Sequence, residues 1–159
     1  MTVSTRKAEP SDAEAIIEIV RSSILTRCAP DHLNDQATLT RWLSNKTPQN
    51  FLTWIANPDN FCVVAESEDG LKGVGLLHRS GEIRLFYLSP TAQRQGFGRA
   101  IYLALEKAAP QWGLKAIHLH STPNARSFYE SVGFVATGPA TLQFGVLHGY
   151  PYEKQLQPN

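Results

Sequence analysis

The stretch from Glu82 to Ile101 restricts what this chain can fold into more than any other. Ile83, Leu85 and Tyr87 alternate with Glu82, Arg84, Phe86 and Leu88, the two-residue period of a strand. Ser89-Pro90 ends that strand, because proline has no N–H to give to a ladder. Gly96 and Gly98 stand where a helix should open, and Ile101, Ala104, Leu105 and Ala108 then recur at helical spacing up to Pro110. A helix N-terminus carries unpaired N–H groups and a partial positive charge. Glycines let a bulky anion come close to that backbone. With Arg94 and Arg99 flanking the turn, the stretch predicts a strand, a loop and a helix that together cradle a pyrophosphate.

Three kinds of phosphate loop compete for this turn. A dinucleotide-binding turn would set G-x-G-x-x-G directly after the strand, but Ile101 stands in place of the third glycine and several residues intervene. A P-loop needs Gly-Lys-Ser/Thr, which is absent here. The third pattern, Gln/Arg-x-x-Gly-x-Gly/Ala, is present as Gln93, Arg94, Gln95, Gly96, Phe97 and Gly98, followed by Arg99. It resembles the coenzyme A loop of the GCN5-related N-acetyltransferases, the GNAT family. A second resemblance to that family lies downstream, where Ala125, Phe128, Tyr129, Gly133 and Phe134 match its pattern. Many members carry an asparagine seven residues before the tyrosine; here that position is Thr122, and Asn124 is out of register.

The order of elements extends the resemblance over the whole length. Thr2–Ala8 reads as a strand, and Ser11 with Glu14 fits a capping box before a helix lined by Ala13, Ile16, Ile17, Val20 and Ile24. Residues 26–34 read as loop around Pro30, and helices are predicted over about 35–43 and 49–56. Strands at 61–66, 71–78 and 82–88, joined by turns at Glu68-Asp69-Gly70 and Ser80-Gly81, predict an antiparallel meander. A strand at 114–120, a helix at 123–131 stopped by Gly133, and a final strand pair at 134–137 and 142–156 complete the order, with a frayed end at 157–159. The resemblance implies an α/β GNAT fold: a mixed, mostly antiparallel central sheet with flanking helices. Within it, a parallel pair near 82–88 and 114–120 would splay apart and leave the backbone of residues 86–88 free for pantetheine.

Bulk properties exclude several other classes. A length of 159 residues suits one domain, 1–159, and 42% hydrophobic content fits a globular protein with a core. A formal net charge of +1 suggests neither nucleic acid nor an anionic membrane as partner. No apolar run reaches membrane-spanning length, no signal-peptide core is evident, and a cytoplasmic location is expected. Cys28 and Cys62 show no metal spacing and are expected as buried thiols.

The resemblance implies an acetyl-CoA-dependent N-acetyltransferase acting by direct attack on a primary amine of a small molecule or peptide. The expected partners are that acceptor, with a homodimer compatible. A CoA-binding module without catalysis is the competing function, and a nucleotide-dependent oxidoreductase is disfavoured by the missing glycine. Cofactor contacts are implied for Phe86, Leu88, Gln93, Arg94, Gln95, Gly96, Phe97, Gly98, Arg99, Thr122, Ala125 and Phe128. Tyr129 stands at the family's general-acid position, and a neutral phenol suits protonation of a leaving thiolate. The Phe86 N–H matches the oxyanion donor. Glu82 matches a glutamate that serves some histone-acetylating members as base, although a plain ion pair with Arg84 is the competing role. His118 and His120 share a strand face as relay or cleft-lining residues, without a third ligand for a metal. His148 and Tyr150 are candidates to line the acceptor pocket, Trp42 and Trp54 read as core, and Arg84 hints at a carboxylate-bearing acceptor.

Overall fold

A computed structural model describes residues 2–92 and 94–157. The expected contact from Gln93 and the expected fraying of Pro158 and Asn159 lie outside the described residues. Among the described residues, eight strands and six α-helices follow in the order β1 (Ser4–Lys7), α1 (Ala13–Thr26), α2 (Ala29–His32), α3 (Gln36–Ser44), α4 (Pro48–Ala56), β2 (Asn60–Ser67), β3 (Gly70–His78), β4 (Ile83–Leu88), α5 (Phe97–Ala108), β5 (Ala116–Ser121), α6 (Arg126–Ser131), β6 (Val135–Ala136), β7 (Thr141–Phe144) and β8 (Leu147–Gln155). The antiparallel meander is present: one sheet runs β1-β2-β3-β4. A second sheet runs β5-β8-β6, with β7 also paired to β8.

The inner strands β2 and β3 of the first sheet are buried on both faces, and the sequence shows why. Cys62, Val64, Val74, Leu76 and Leu85 pack with Ile16, Ile17, Val20 and Ile24 of α1, and with Leu39, Trp42 and Phe51 of α3 and α4. Val63, Ala65 and Leu77 pack with Ile101 and Leu105 of α5 on the opposite side. Strands alternate their side chains between faces, so an unbroken apolar run such as Phe61–Ala65 serves two cores. Helix α5 lies close to β3 because Gly75 has no side chain: a Cβ there would meet Ile101 Cγ2 at 2.5 Å.

Four expectations need correction, the first being that the capping box before α1 joins Glu9 and Asp12 and not Ser11 and Glu14. The segment 26–34 is not all loop, because Ala29–His32 forms one helical turn with Pro30 in its first turn, where the missing N–H costs nothing. The stretch 142–156 is not one strand but the hairpin β7–β8, broken at Gly145, whose φ of 54° turns the chain. The strict alternation across β4 also fails: Ile83 faces the α5 side, whereas Leu85 faces the α1 side. A register shift pairs Leu77 with Ile83 but Leu76 with Leu85, so Arg84 is the extra residue of a β-bulge.

Candidate active site

Strands β4 and β5 belong to different sheets and are linked, among the described residues, by a parallel bridge between Glu82, just before β4, and His118. There the His118 N–H donates to the Gly81 carbonyl at 2.9 Å. Beyond the bridge a cleft of about 1060 Å³ opens, walled by Phe86, Tyr87 and Leu88 on one side and Leu119 and His120 on the other. The Ser89 N–H donates to Lys72 O at 2.7 Å, and the register then pairs Tyr87 with Val74 and Leu85 with Leu76. Hydrogen-bonded and open positions alternate in an antiparallel pair. The backbones of Phe86 and Leu88 therefore face the cleft, whereas Tyr87 is committed to β3, so the free stretch is not 86–88 entire.

The glycine turn closes one end of this cleft. Gly96 is the N-cap of α5 at φ 89° and has no side chain to cap the helix, so among the described residues no side chain pairs with the first N–H groups at this end of the cleft. Gly98 leaves room for the Phe128 ring, which a Cβ would approach to 3.1 Å. Arg94 and Arg99 line the same end and are exposed. Phe97 is fully buried, so only its backbone is available to a ligand. Gln95 is exposed and is not part of the cleft wall.

Tyr129 sits across from β4 with 7% of its surface exposed. Its ring is held by Phe86 at 5.8 Å, Phe128 at 5.4 Å and Phe134 at 5.7 Å between centroids. The short helix that carries it is fastened to β8. The Arg126 guanidinium lies 3.8 Å from the Tyr150 ring centroid and donates to the Tyr152 hydroxyl, which donates to Glu130 Oε2 at 2.7 Å. Tyr150, expected to line an acceptor pocket, thus clamps α6. Burial, then the neighbouring Tyr87 and Cys28, raise the Tyr129 pKa well above the ordinary tyrosine value and keep the phenol protonated. Thr122, Ala125 and Phe128 line the cleft beside it. Asn124 turns its backbone N–H to the buried carboxylate of Asp31 at 2.8 Å and its side-chain amide to Arg27 O at 2.9 Å, which ties this wall to α1 and α2.

Glu82 lies elsewhere. It stands at the closed end of the splay, about 13 Å along the strand from Phe86 at the usual rise, and does not line the cleft. Its Oε1 accepts from Arg84 Nε at 2.7 Å, so the ion-pair role is realised, while Arg84 itself lines the cleft. His120 lines the cleft and also a second cavity of about 370 Å³ between α3, β8 and β5. Trp42, Tyr87, His120 and Thr122 are common to both cavities. Trp42 is core, as expected, but it is also a wall, and its Nε1–H donates to the Tyr87 hydroxyl at 3.0 Å. His148 lines the second cavity. The Trp42–Tyr87 pair carries no signal in the sequence, because the partners are 45 residues apart. Cys28 lines the cleft, and burial pushes its thiol up to about 12, so it is no nucleophile at neutral pH. Among the described residues no group of three His, Cys, Asp or Glu side chains could hold a metal.

No curated protein matches the sequence significantly. Among solved structures, a GCN5-related N-acetyltransferase from Rhodopseudomonas palustris is similar at 22% identity with a TM-score of 0.85, covering 98% of this chain and 97% of its own. The PaiA N-acetyltransferase of Thermoplasma acidophilum, in complex with coenzyme A, superposes at 22% identity and TM-score 0.83 over 98% and 99% of the two chains. An aminoglycoside 6′-N-acetyltransferase complexed with coenzyme A shares 14% identity at TM-score 0.75 over 100% and 99%. These likenesses show the fold. The profile of the acetyltransferase (GNAT) domain matches residues 27–156, which include the splayed strands, the glycine turn and Tyr129, and the chain accordingly belongs to the GNAT acetyltransferases.

Proposed function

We propose that this chain transfers the acetyl group of acetyl-CoA to a primary amine of a small molecule or peptide by direct attack, with donor and acceptor bound together. One observation carries this reading: two cavities meet at Trp42, Tyr87, His120 and Thr122, so each substrate has its own chamber and the reacting atoms share a junction. Acetyl-CoA supplies an activated thioester when bound. The uncapped first turn of α5, with Arg94 and Arg99, offers donors and positive charge to its pyrophosphate. The Leu88 backbone pairs with the pantetheine arm as a strand edge would. The Phe86 N–H stabilises the negative charge that grows on the acetyl oxygen. The Tyr129 hydroxyl, kept protonated by burial, gives its proton to the departing sulfur.

The amine's own proton has two candidate carriers. Glu82 reaches the junction only through water, because its carboxylate is held by Arg84. His120 lines both chambers directly. Glu82→Gln and His120→Gln separate them: the variant that loses the acidic limb of the kcat/KM profile names the base. The buried free thiols of Cys28 and Cys62 support a reducing compartment such as the cytoplasm, and the chain is read as one domain.

The deciding experiment follows thiol release from acetyl-CoA over amino acids, polyamines, aminoglycosides and peptides, with CoA affinity measured by calorimetry. Amine-dependent release is expected. Tight CoA binding with no release from any amine would instead support the non-catalytic module.

A further inference from the structure

The second cavity has no Asp or Glu on its wall, yet it holds two cations, Arg41 and Lys46. Lys46 is only 9% exposed. Its Nζ donates to Asn45 Oδ1 at 2.7 Å, and no carboxylate pairs with it among the described residues. Burying a cation without an anion costs stability, so an unpaired buried lysine facing a cavity marks a place for one.

The loop that presents Lys46 is fixed from three sides. Arg21 donates to the carbonyls of Leu43 at 3.0 Å and Lys46 at 3.1 Å. The Asn50 amide donates to Asn45 O at 2.9 Å. Thr47 caps α4 by accepting the Asn50 N–H at 3.1 Å. Arg41 is set by the Phe144 ring, whose centroid lies 5.3 Å from its guanidinium carbon. Both cations are therefore in position before any ligand arrives.

We propose that the acceptor is an amine that also bears an anionic group, a carboxylate or a phosphonate, and that Lys46 and Arg41 bind that group while the amine lies at the Tyr87–His120 junction. This names the acceptor class of the acetyl-transfer reading and rests on it. A cavity of about 370 Å³ is of small-molecule size. Polyamines would meet two like charges there. Burial lowers the Lys46 pKa to about 8, which leaves its ammonium predominant at neutral pH, and an anion would stabilise it further. The other titratable groups on this wall are Tyr87, His120 and His148.

The test uses the full chain, acetyl-CoA and matched amines: amino acids, the same amino acids as amides, aminophosphonates and polyamines. Expected is a kcat/KM for the acid about tenfold or more above its amide, the size of a charge-assisted hydrogen bond. In Lys46→Met that ratio should fall to about one, and in Arg41→Gln it should fall part of the way. CoA affinity should hold in both, and the melting temperature of Lys46→Met should hold or rise, because a costly buried charge is gone. Whether carboxylates or phosphonates lead identifies the anion. Preference for amides or polyamines, or an acid preference that survives Lys46→Met, overturns the proposal while acetyl transfer stands. Should no amine turn over, calorimetry of the CoA-loaded protein with N-acetyl amino acids and their amides decides: selective binding of the acid, lost in Lys46→Met, supports the site, and equal or absent binding overturns it. Failure to bind CoA overturns both readings together.

Discussion

Tyr129 shows how one residue depends on its surroundings. Its hydroxyl serves as a proton donor only if the ring is immobile and the phenol neutral. The contacts with Phe86, Phe128 and Phe134 supply the first condition, and burial supplies the second. Tyr129→Phe removes one oxygen and leaves those contacts in place. We expect kcat to fall by about 10²-fold, the range of a general acid, with CoA affinity and melting temperature nearly unchanged. A more activated thioester, whose thiolate leaves unaided, should recover part of the rate. Near-normal kcat with acetyl-CoA would reduce Tyr129 to a packing residue.

At the scale of elements, the second cavity, proposed above as the acceptor chamber, lies where α3 meets the β7–β8 hairpin. Buried Thr38 makes that contact: its hydroxyl donates to Asp35 Oδ2 at 2.7 Å and accepts the Val146 N–H at 2.9 Å. Thr38→Val keeps the shape and removes both bonds. It should cost about 1–2 kcal/mol in thermal unfolding and raise KM for the amine a few-fold, with KM for acetyl-CoA steady. An equal rise in both constants would mean that the turn does not serve the acceptor side. The entry to α1 depends on a different pair. Asp12 accepts from both terminal nitrogens of Arg6 at 2.9 Å and from the Glu9 N–H at 2.8 Å. The Arg6 hydrogen bond, only partly offset by burial, holds the Asp12 carboxyl below the usual range. A depressed folded-state pKa contributes stability above the unfolded-state value of about 4 and loses it as pH falls through the folded-state value. Asp12→Asn should therefore cost about 1–2 kcal/mol at pH 7, and the gap from wild type should close in acid. A gap independent of pH would place the effect in packing and not in charge.

At the scale of the whole molecule, two sheets are joined, among the described residues, by one parallel bridge and diverge along the cleft. A ligand that fills the cleft touches both sheets and the start of α5, so it binds the folded chain alone. At a hundredfold excess over Kd, CoA should stabilise by about 2.7 kcal/mol, which is about 5 °C or more in melting temperature for a chain of this size. Scanning calorimetry with and without CoA checks this. No shift at saturating CoA would remove the cleft assignment.

Local chemistry made much of this legible before any fold was known. Pro90 ends β4, the paired glycines open α5, and Ala125, Phe128 and Tyr129 stand on one short segment, so each signal lies within a few neighbours along the chain. Periodicity likewise marks α1 and the meander, because a helix or strand imposes its own repeat on the residues it buries. The bulge at Arg84 was hidden, because it arises from a mismatch between two strands and not from either one. The Trp42–Tyr87 bond, the Thr38 contact with Val146 and the lone buried charge of Lys46 were hidden for the same reason. Their partners are separated by 45 and 108 residues, or, for Lys46, the decisive fact is that no partner stands opposite among the described residues. The sequence by itself marked the glycine turn and the Tyr129 segment on which the proposed cofactor site and proton donor rest. Only the tertiary structure decided which charges line the second cavity, because charge in a cavity depends on everything packed around it and a linear pattern records only what is adjacent.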